Sequence, residues 1–170
     1  MKNRIRMLTK SAVIAALYVV LTLLQELLLP GSPSNAIQFR IAEALCVFAL
    51  FSPAGVYGVT LGCLLFNLIN AGALPLDFFV GTAATFTATF AMYRFRKLRV
   101  RKLPLLSLMM PVILNGLLVG WELTVYVQGA SYWFNAACVA LGELAVMMTL
   151  GVALYLAFSA RGLGERLLGR

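Results

Sequence analysis

Long apolar runs alternate with short breaks of polar residues, glycine and proline along the chain. The runs fall at about 11–29, 38–51, 54–71, 77–93, 104–127 and 133–159. A helix of about 20 apolar residues crosses the hydrocarbon of a bilayer, with some latitude either way. Each run is therefore predicted to be a transmembrane helix, giving six. The first closes at Pro30-Gly31-Ser32-Pro33, the second at Ser52-Pro53 and the third at Gly72 and Pro75. A basic stretch from Arg94 to Lys102 follows the fourth, the fifth ends near Gln128-Gly129, and a basic tail follows the sixth. The second run is the shortest and begins with polar residues. Together they predict an all-α polytopic membrane protein with one domain over residues 1–170.

Composition agrees. Hydrophobic residues make up 62% of the chain, and the mean hydropathy is strongly positive. A soluble domain of this length could not hide so much apolar surface, whereas lipid accepts it as solvent. The basic residues at 2–10 followed by an apolar run look superficially like a signal peptide. The run is long enough to span, however, and no A-x-A-like cleavage site follows, so no cleavage is expected.

The net charge of +8 raises the question of nucleic acid, and its distribution answers against it. Thirteen of the 14 Lys and Arg lie in three clusters: Lys2 to Lys10, Arg94 to Lys102, and Arg161, Arg166 and Arg170. Basic residues so arranged fix topology and touch anionic lipid. With the N-terminus inside, six spans put every cluster inside and leave the outer loops free of Lys and Arg; Arg40 alone sits near the outer face. Four or five spans would strand a cluster outside, so both termini are expected in the cytoplasm.

Helices pack in lipid through small residues. Ser11 and Ala15, and Ala12 and Ala16, form stripes on the first span, Gly58 and Gly62 on the third, and Gly116 and Gly120 on the fifth. The fourth carries Gly81, Thr82, Ala84, Thr85, Ala88 and Thr89. The glycine pairs point to packing within the chain.

Ionisable groups inside spans are costly and mark function by default. Of six acids only Glu165 lies clearly in a tail. Glu26, Arg40, Glu43, Asp77 and Glu122 fall in the outer half, and Glu143 about midway along the sixth span. Asn67 and Asn70 end the third span. Asn115, Glu122 and Tyr126 share one face of the fifth, with Trp121 adjacent. These groups are predicted to surround a hollow that opens outward and takes a small molecule. Five embedded acids against one Arg suit a ligand that is cationic or rich in N–H donors. Plainer readings stand beside this one. Arg40 and Glu43 neutralise each other at three-residue spacing; Asp77 caps the fourth span; Asn67 and Asn70 cap or cross-link helices; Trp121 and Tyr126 belong to an interfacial belt; Glu26 faces headgroups.

Missing motifs narrow the field. The chain has no G-x-x-x-x-G-K-[ST], so it binds no ATP by a P-loop, and with no His it has no H-E-x-x-H or Ser-His chemistry. Cys46, Cys63 and Cys138 lack metal or redox spacing and are expected to be small apolar fillers. No catalytic set, metal or cofactor is expected.

The stretch Ile37-Gln38-Phe39-Arg40-Ile41-Ala42-Glu43-Ala44-Leu45 resembles the signature of the QueT family, queuosine-precursor S components of energy-coupling factor (ECF) transporters. Supporting stretches run in order through Gly62–Leu68, Asp77–Thr85, Asn115–Glu122 and Leu141–Leu144. Ala42 departs from the family pattern, which more often has Ser. The resemblance implies a six-helix S-component fold in a bacterial plasma membrane. It implies a subunit that captures a 7-deazaguanine near the outer face and docks on a shared membrane coupling subunit driven by two cytosolic ATPases. Ala12 and Ala16 match the small-residue pattern by which S components contact that subunit. For the ligand, the resemblance implies Glu143 or Glu122 at the guanine-like edge and Glu43 or Glu26 at the ammonium of an amino form. It implies Arg40 at the ring carbonyl or orienting Glu43, with Trp121, Phe39 or Tyr126 stacked on the ring. The competing readings are an S component for another vitamin, such as riboflavin or thiamine, and a solitary ion-coupled carrier.

Overall fold

A computed structural model describes residues 2–32, 37–70, 75–100, 103–126, 129, 131–160 and 162–168. Pro33, Gly72 and Gln128 among the expected breaks, and Arg101, Lys102, Arg161 and Arg170 among the basic residues, lie outside these. The described residues are helical, with no strand among them. Helix α1 runs Lys2–Leu28, α2 Pro53–Ile69, α3 Val80–Phe95, α4 Leu105–Tyr126, α5 Tyr132–Val146 and α6 Val152–Ala160. A π-helical turn, Met147–Gly151, joins α5 to α6 in one 29-residue rod, Tyr132–Ala160. Between α1 and α2 lies a 3₁₀ helix, Ile41–Leu50.

Three helices are long and apolar enough to cross a membrane: Asn3–Leu28, Leu105–Tyr126 and Tyr132–Ala160. Ile41–Leu50 and Pro53–Ile69 are shorter apolar helices. The chain is thus an all-helical integral membrane protein. Large apolar side chains such as Leu17, Leu24, Leu27, Phe90 and Leu141 are exposed on helix faces, as expected where lipid is the solvent.

The breaks act as their chemistry demands. Ser52 caps α2, its Oγ accepting from Ala54 N at 3.3 Å, and Pro53 starts the helix where a missing N–H costs nothing. Ser131 caps α5 the same way, accepting from Phe134 N at 3.3 Å. Asp77 is no cap. It lies in a turn over 75–79, and α3 begins at Val80 with Phe79 as its N-cap residue. The start expected near 77 therefore falls three residues later, where Val80 N reaches Leu76 O at 2.7 Å.

The second predicted span is the main departure. It is ten residues of 3₁₀ helix, and Ala42 through Leu50 are all buried. At about 2 Å rise per residue it covers roughly 20 Å, against about 15 Å for the same number of residues in an α-helix. A helix apolar on every side belongs in a core, and this one lies within the bundle, packed by α1, α2 and α3.

Both glycine pairs serve packing within the chain. A Cβ on Gly58 would stand 2.7 Å from Ile14 Cβ, and one on Gly62 2.6 Å from Tyr18 Cβ, so α1 and α2 approach closely. Gly116 and Gly120 do the same for α4 against Ala140 and Ala136 of α5. Ser11 and Ala15 face α2 and are buried, whereas Ala12 and Ala16 are exposed.

One end of the bundle is basic. A cavity of about 340 Å³ there is lined by Phe51, Arg96, Lys97, Arg99 and Ser159 among others. A second, of about 320 Å³, is lined in part by Arg6, Lys10, Ser52 and Tyr93. The two cavities meet neighbouring residues of the turn into α2, Phe51 in the first and Ser52 in the second. The acids gather away from this end.

Candidate functional site

The site is built on the extended segment before the 3₁₀ helix. Gln25 of α1 holds it in three ways. Its Nε2 donates to Ser32 Oγ at 2.8 Å and to Phe39 O, and its Oε1 accepts from Ile41 N at 2.9 Å. On the other side the backbone of Gln38 lies directly on Gly142, where any Cβ would collide with it. The segment is clamped between α1 and α5, and Arg40 is lowered into the bundle with 7% of its surface exposed.

Below it, fully buried Glu43 is saturated with donors. Its Oε1 accepts from Tyr18 Oη at 2.8 Å and Thr85 Oγ1 at 3.2 Å; its Oε2 accepts from Cys46 Sγ at 3.0 Å. Arg40 Nε lies 3.9 Å from Oε1, the pairing expected of residues three apart. Arg40 Nη2 also donates to Cys63 Sγ at 3.5 Å. A 3₁₀ helix has three residues per turn, so Glu43 and Cys46 stack in one row with Arg40 above them. Cys46 and Cys63 are therefore polar partners at the site, correcting the expectation that they are apolar fillers; Cys138 is buried.

Glu143 is also fully buried but only half satisfied. Its Oε1 accepts from Asn115 Nδ2 at 3.2 Å. Its Oε2 has no hydrogen-bond partner among the described residues, nor has Asn115 Oδ1. The backbone of Gln38 rests on Gly142, the residue before Glu143, and so brings the segment that carries Arg40 against α5. Four elements thus converge: α4 and α5 supply Asn115 and Glu143, the chain entering the 3₁₀ helix supplies Arg40, and the 3₁₀ helix itself supplies Glu43.

Nearer the end away from the basic cavities, Glu122 shares the buried face of α4 with Asn115. Its side chain is fully buried. Tyr126, one turn on, accepts from Leu76 N at 3.1 Å and so draws the 75–79 turn against α4. Asn67 holds the same turn from α2, donating to Asp77 O at 2.8 Å. Asn67 thus ties α2 to the 75–79 turn, and Asn70 is the residue at which α2 ends.

Other expected site residues lie elsewhere. Glu26 Oε1 accepts from Gly31 N at 3.0 Å and closes the turn after α1, and Gly31 sits at φ +78°, a conformation that favours glycine. Phe39 and Trp121 are about half exposed on the outside of the bundle, with only the Phe39 carbonyl serving the site. Tyr18, Gln25, Thr85, Cys46 and Cys63 were not expected at the site. Ser11, Tyr18 and Gln25 recur every seven residues on an apolar span and are all buried; that polar stripe was the available signal.

What these features define is an integral membrane protein with a buried polar centre whose acids outnumber its one Arg. The chain belongs to the QueT transporter family, whose family model, described as the QueT transporter, matches residues 8–160. No curated protein and no solved structure matches it.

Proposed function

We propose that this chain is the substrate-binding membrane subunit of an ATP-driven ECF importer, capturing a 7-deazaguanine queuosine precursor. In this reading six helices sit in a bacterial plasma membrane with the basic end and both termini in the cytoplasm, as the positive-inside rule favours. The ligand enters from the opposite face and is delivered inward after the subunit docks on a coupling subunit driven by two ATPases.

The observation that carries the reading is the set of unused acceptors between α4 and α5. Glu143 Oε2 and Asn115 Oδ1 are buried without donors, and a buried acceptor left unpaired costs about 1–3 kcal/mol. A guanine-like edge offers two adjacent N–H donors beside a carbonyl. Glu143 and Asn115 would take the donors, and Arg40 would turn an N–H to the carbonyl. Glu43 would act as the anchor of Arg40, since its own oxygens are already engaged. Energy must come from elsewhere, because the chain has no P-loop.

Calorimetric titration of purified protein with 7-deazaguanines, without ATP, tests the proposal. Tight binding is expected. No heat with any 7-deazaguanine, but heat with riboflavin or thiamine, would move the chain to another specificity. Uptake by liposomes holding this chain alone would replace the ECF reading with that of a solitary carrier.

A further inference from the structure

We infer that the basic end of the bundle holds a phospholipid with two phosphates, one in each of its two basic cavities, with the acyl chains led into an apolar cavity that adjoins both. The inference needs only that the chain sits in a membrane, and it stands apart from the ligand proposed above.

The two basic cavities share a wall. Arg96, Lys97, Arg99 and Ser159 help to line the first, and Arg6, Lys10 and Tyr93 the second. Arg96 of the first lies over the ring of Tyr93 of the second, 3.8 Å from its centroid, and its Nη1 donates to Tyr93 O at 2.6 Å. The successive residues Phe51 and Ser52 divide the cavities at another point, one lining each. Arg96 is thus held in place, and a guanidinium has five N–H donors, so several remain for phosphate oxygens. At about 340 and 320 Å³ each cavity has the size of a small-molecule site.

Charge sets the class of ligand. Arg6, Lys97 and Arg99 are exposed and form no ion pair among the described residues. In the sequence the three basic clusters are accompanied by a single acid, Glu165. The positive-inside rule accounts for basic residues at this end. It does not account for their lining two adjoining cavities whose other walls come from the turn into α2 and from α6. The third cavity, of about 280 Å³, turns an anion site into a lipid site. It is lined by Val13, Leu17 and Phe48 among others, and it shares Phe158 with the first basic cavity and Lys10 and Leu168 with the second. A soluble anion would leave this apolar surface unused, whereas a two-phosphate lipid uses all three cavities at once. Basic pockets between membrane helices on the cytoplasmic side are known seats for such head groups. Exposed Ala12 and Ala16 line none of the three, so the lipid lies beside that stripe and not on it.

Native mass spectrometry of the full chain, purified in detergent and titrated with lipid, tests the inference. Cardiolipin, with two phosphates, is expected to bind one to one and at least tenfold more tightly than phosphatidylglycerol, with one. Phosphatidylcholine should bind more weakly still. Pyrophosphate, which has two phosphates and no chains, should not displace cardiolipin. Arg6→Gln and Arg99→Gln each remove one charge, from the second and the first cavity. Each should weaken cardiolipin binding about fivefold, the equivalent of about 1 kcal/mol per basic residue at a membrane surface. Arg94→Gln also removes one charge, from an exposed residue that lines neither cavity, and should leave the affinity unchanged. All three side chains are exposed, so wild-type melting temperatures are expected. The same effect in all three variants, whether loss or none, or equal affinity for cardiolipin and phosphatidylglycerol, would mean a diffuse charged surface and overturn the site. Pyrophosphate bound as tightly as cardiolipin would make it a site for a soluble anion and overturn the lipid. Neither result touches the 7-deazaguanine reading.

Discussion

Glu43 and Glu143 are both fully buried, but their oxygens are employed differently. Glu43 takes hydrogen bonds from Tyr18, Thr85 and Cys46 and faces Arg40. Glu143 takes one, from Asn115, and leaves an oxygen unused. Substitution should separate the two roles. Glu43→Gln leaves the buried guanidinium without its carboxylate, and breaking a buried pair costs about 3–5 kcal/mol. The 3.9 Å separation places this case at the lower end. A clear drop in melting temperature of the detergent-purified protein is expected; an unchanged melt would show that Glu43 does not hold Arg40. Glu143→Gln preserves size and the Asn115 contact and introduces no charge. Its unliganded melt should not fall, while affinity for 7-deazaguanine drops at least tenfold, about 1.4 kcal/mol. Unaltered affinity would remove Glu143 from the site. The charged members of this cluster were legible in the sequence because lipid tolerates few charges without a reason. The neutral members were not, since a hydroxyl or thiol inside an apolar run costs little and gains its meaning only from what the fold sets opposite it. Trp121 shows the opposite limit: it neighbours Glu122 in sequence, yet one residue turns a helix by about 100°, enough to place it on the outer surface.

At the scale of elements, Gly142 holds the cluster together by having no side chain. The backbone of Gln38 occupies the space that a Cβ would need, and the chain there has little freedom because Gln25 grips it from the far side. Gly142→Ala should push the 38–40 segment off α5, withdraw Arg40 from Glu143 and weaken binding at least tenfold. A stability loss of about 1–3 kcal/mol is expected as well, the usual cost of overpacking. Wild-type affinity together with a wild-type melt would mean that the segment needs no such seat. Most helices were legible beforehand from proline, glycine and serine at the breaks, with ends displaced by a few residues. The nature of the second element was not. Hydrophobic periodicity over ten buried residues looks the same for an α and a 3₁₀ helix, and only the surrounding helices decide which fits. That choice matters chemically, because three residues per turn is what stacks Cys46 under Glu43 with Arg40 above.

Across the whole molecule, polarity is divided between the ends. Arg6, Lys10, Arg96, Lys97 and Arg99 line cavities at one end, and the partly satisfied acids lie away from it. Such a layout suits capture on one side and a partner on the other. It leaves the question of which surface the partner would use. Helix α1 has two small-residue stripes, and the fold uses one: Ser11 and Ala15 are buried against Gly58 and Gly62, while Ala12 and Ala16 are exposed. Small residues on a lipid-facing surface give little to lipid and much to an incoming helix, since they let two backbones approach. Beside them an apolar cavity of about 280 Å³, lined by Val13, Leu17, Phe48 and Phe158 among others, extends the same face toward the basic end. If this stripe seats the coupling subunit, Ala12→Trp should leave the isolated protein intact, because an indole at an exposed position disturbs no packing within the chain. Melting temperature and 7-deazaguanine affinity are expected to stay at wild-type values. Uptake by cells that supply the partner subunits should be lost, because the bulk keeps the helices apart. Normal uptake by that variant would move the docking surface away from α1, and a lowered affinity would show that the exposed stripe is tied to the site after all.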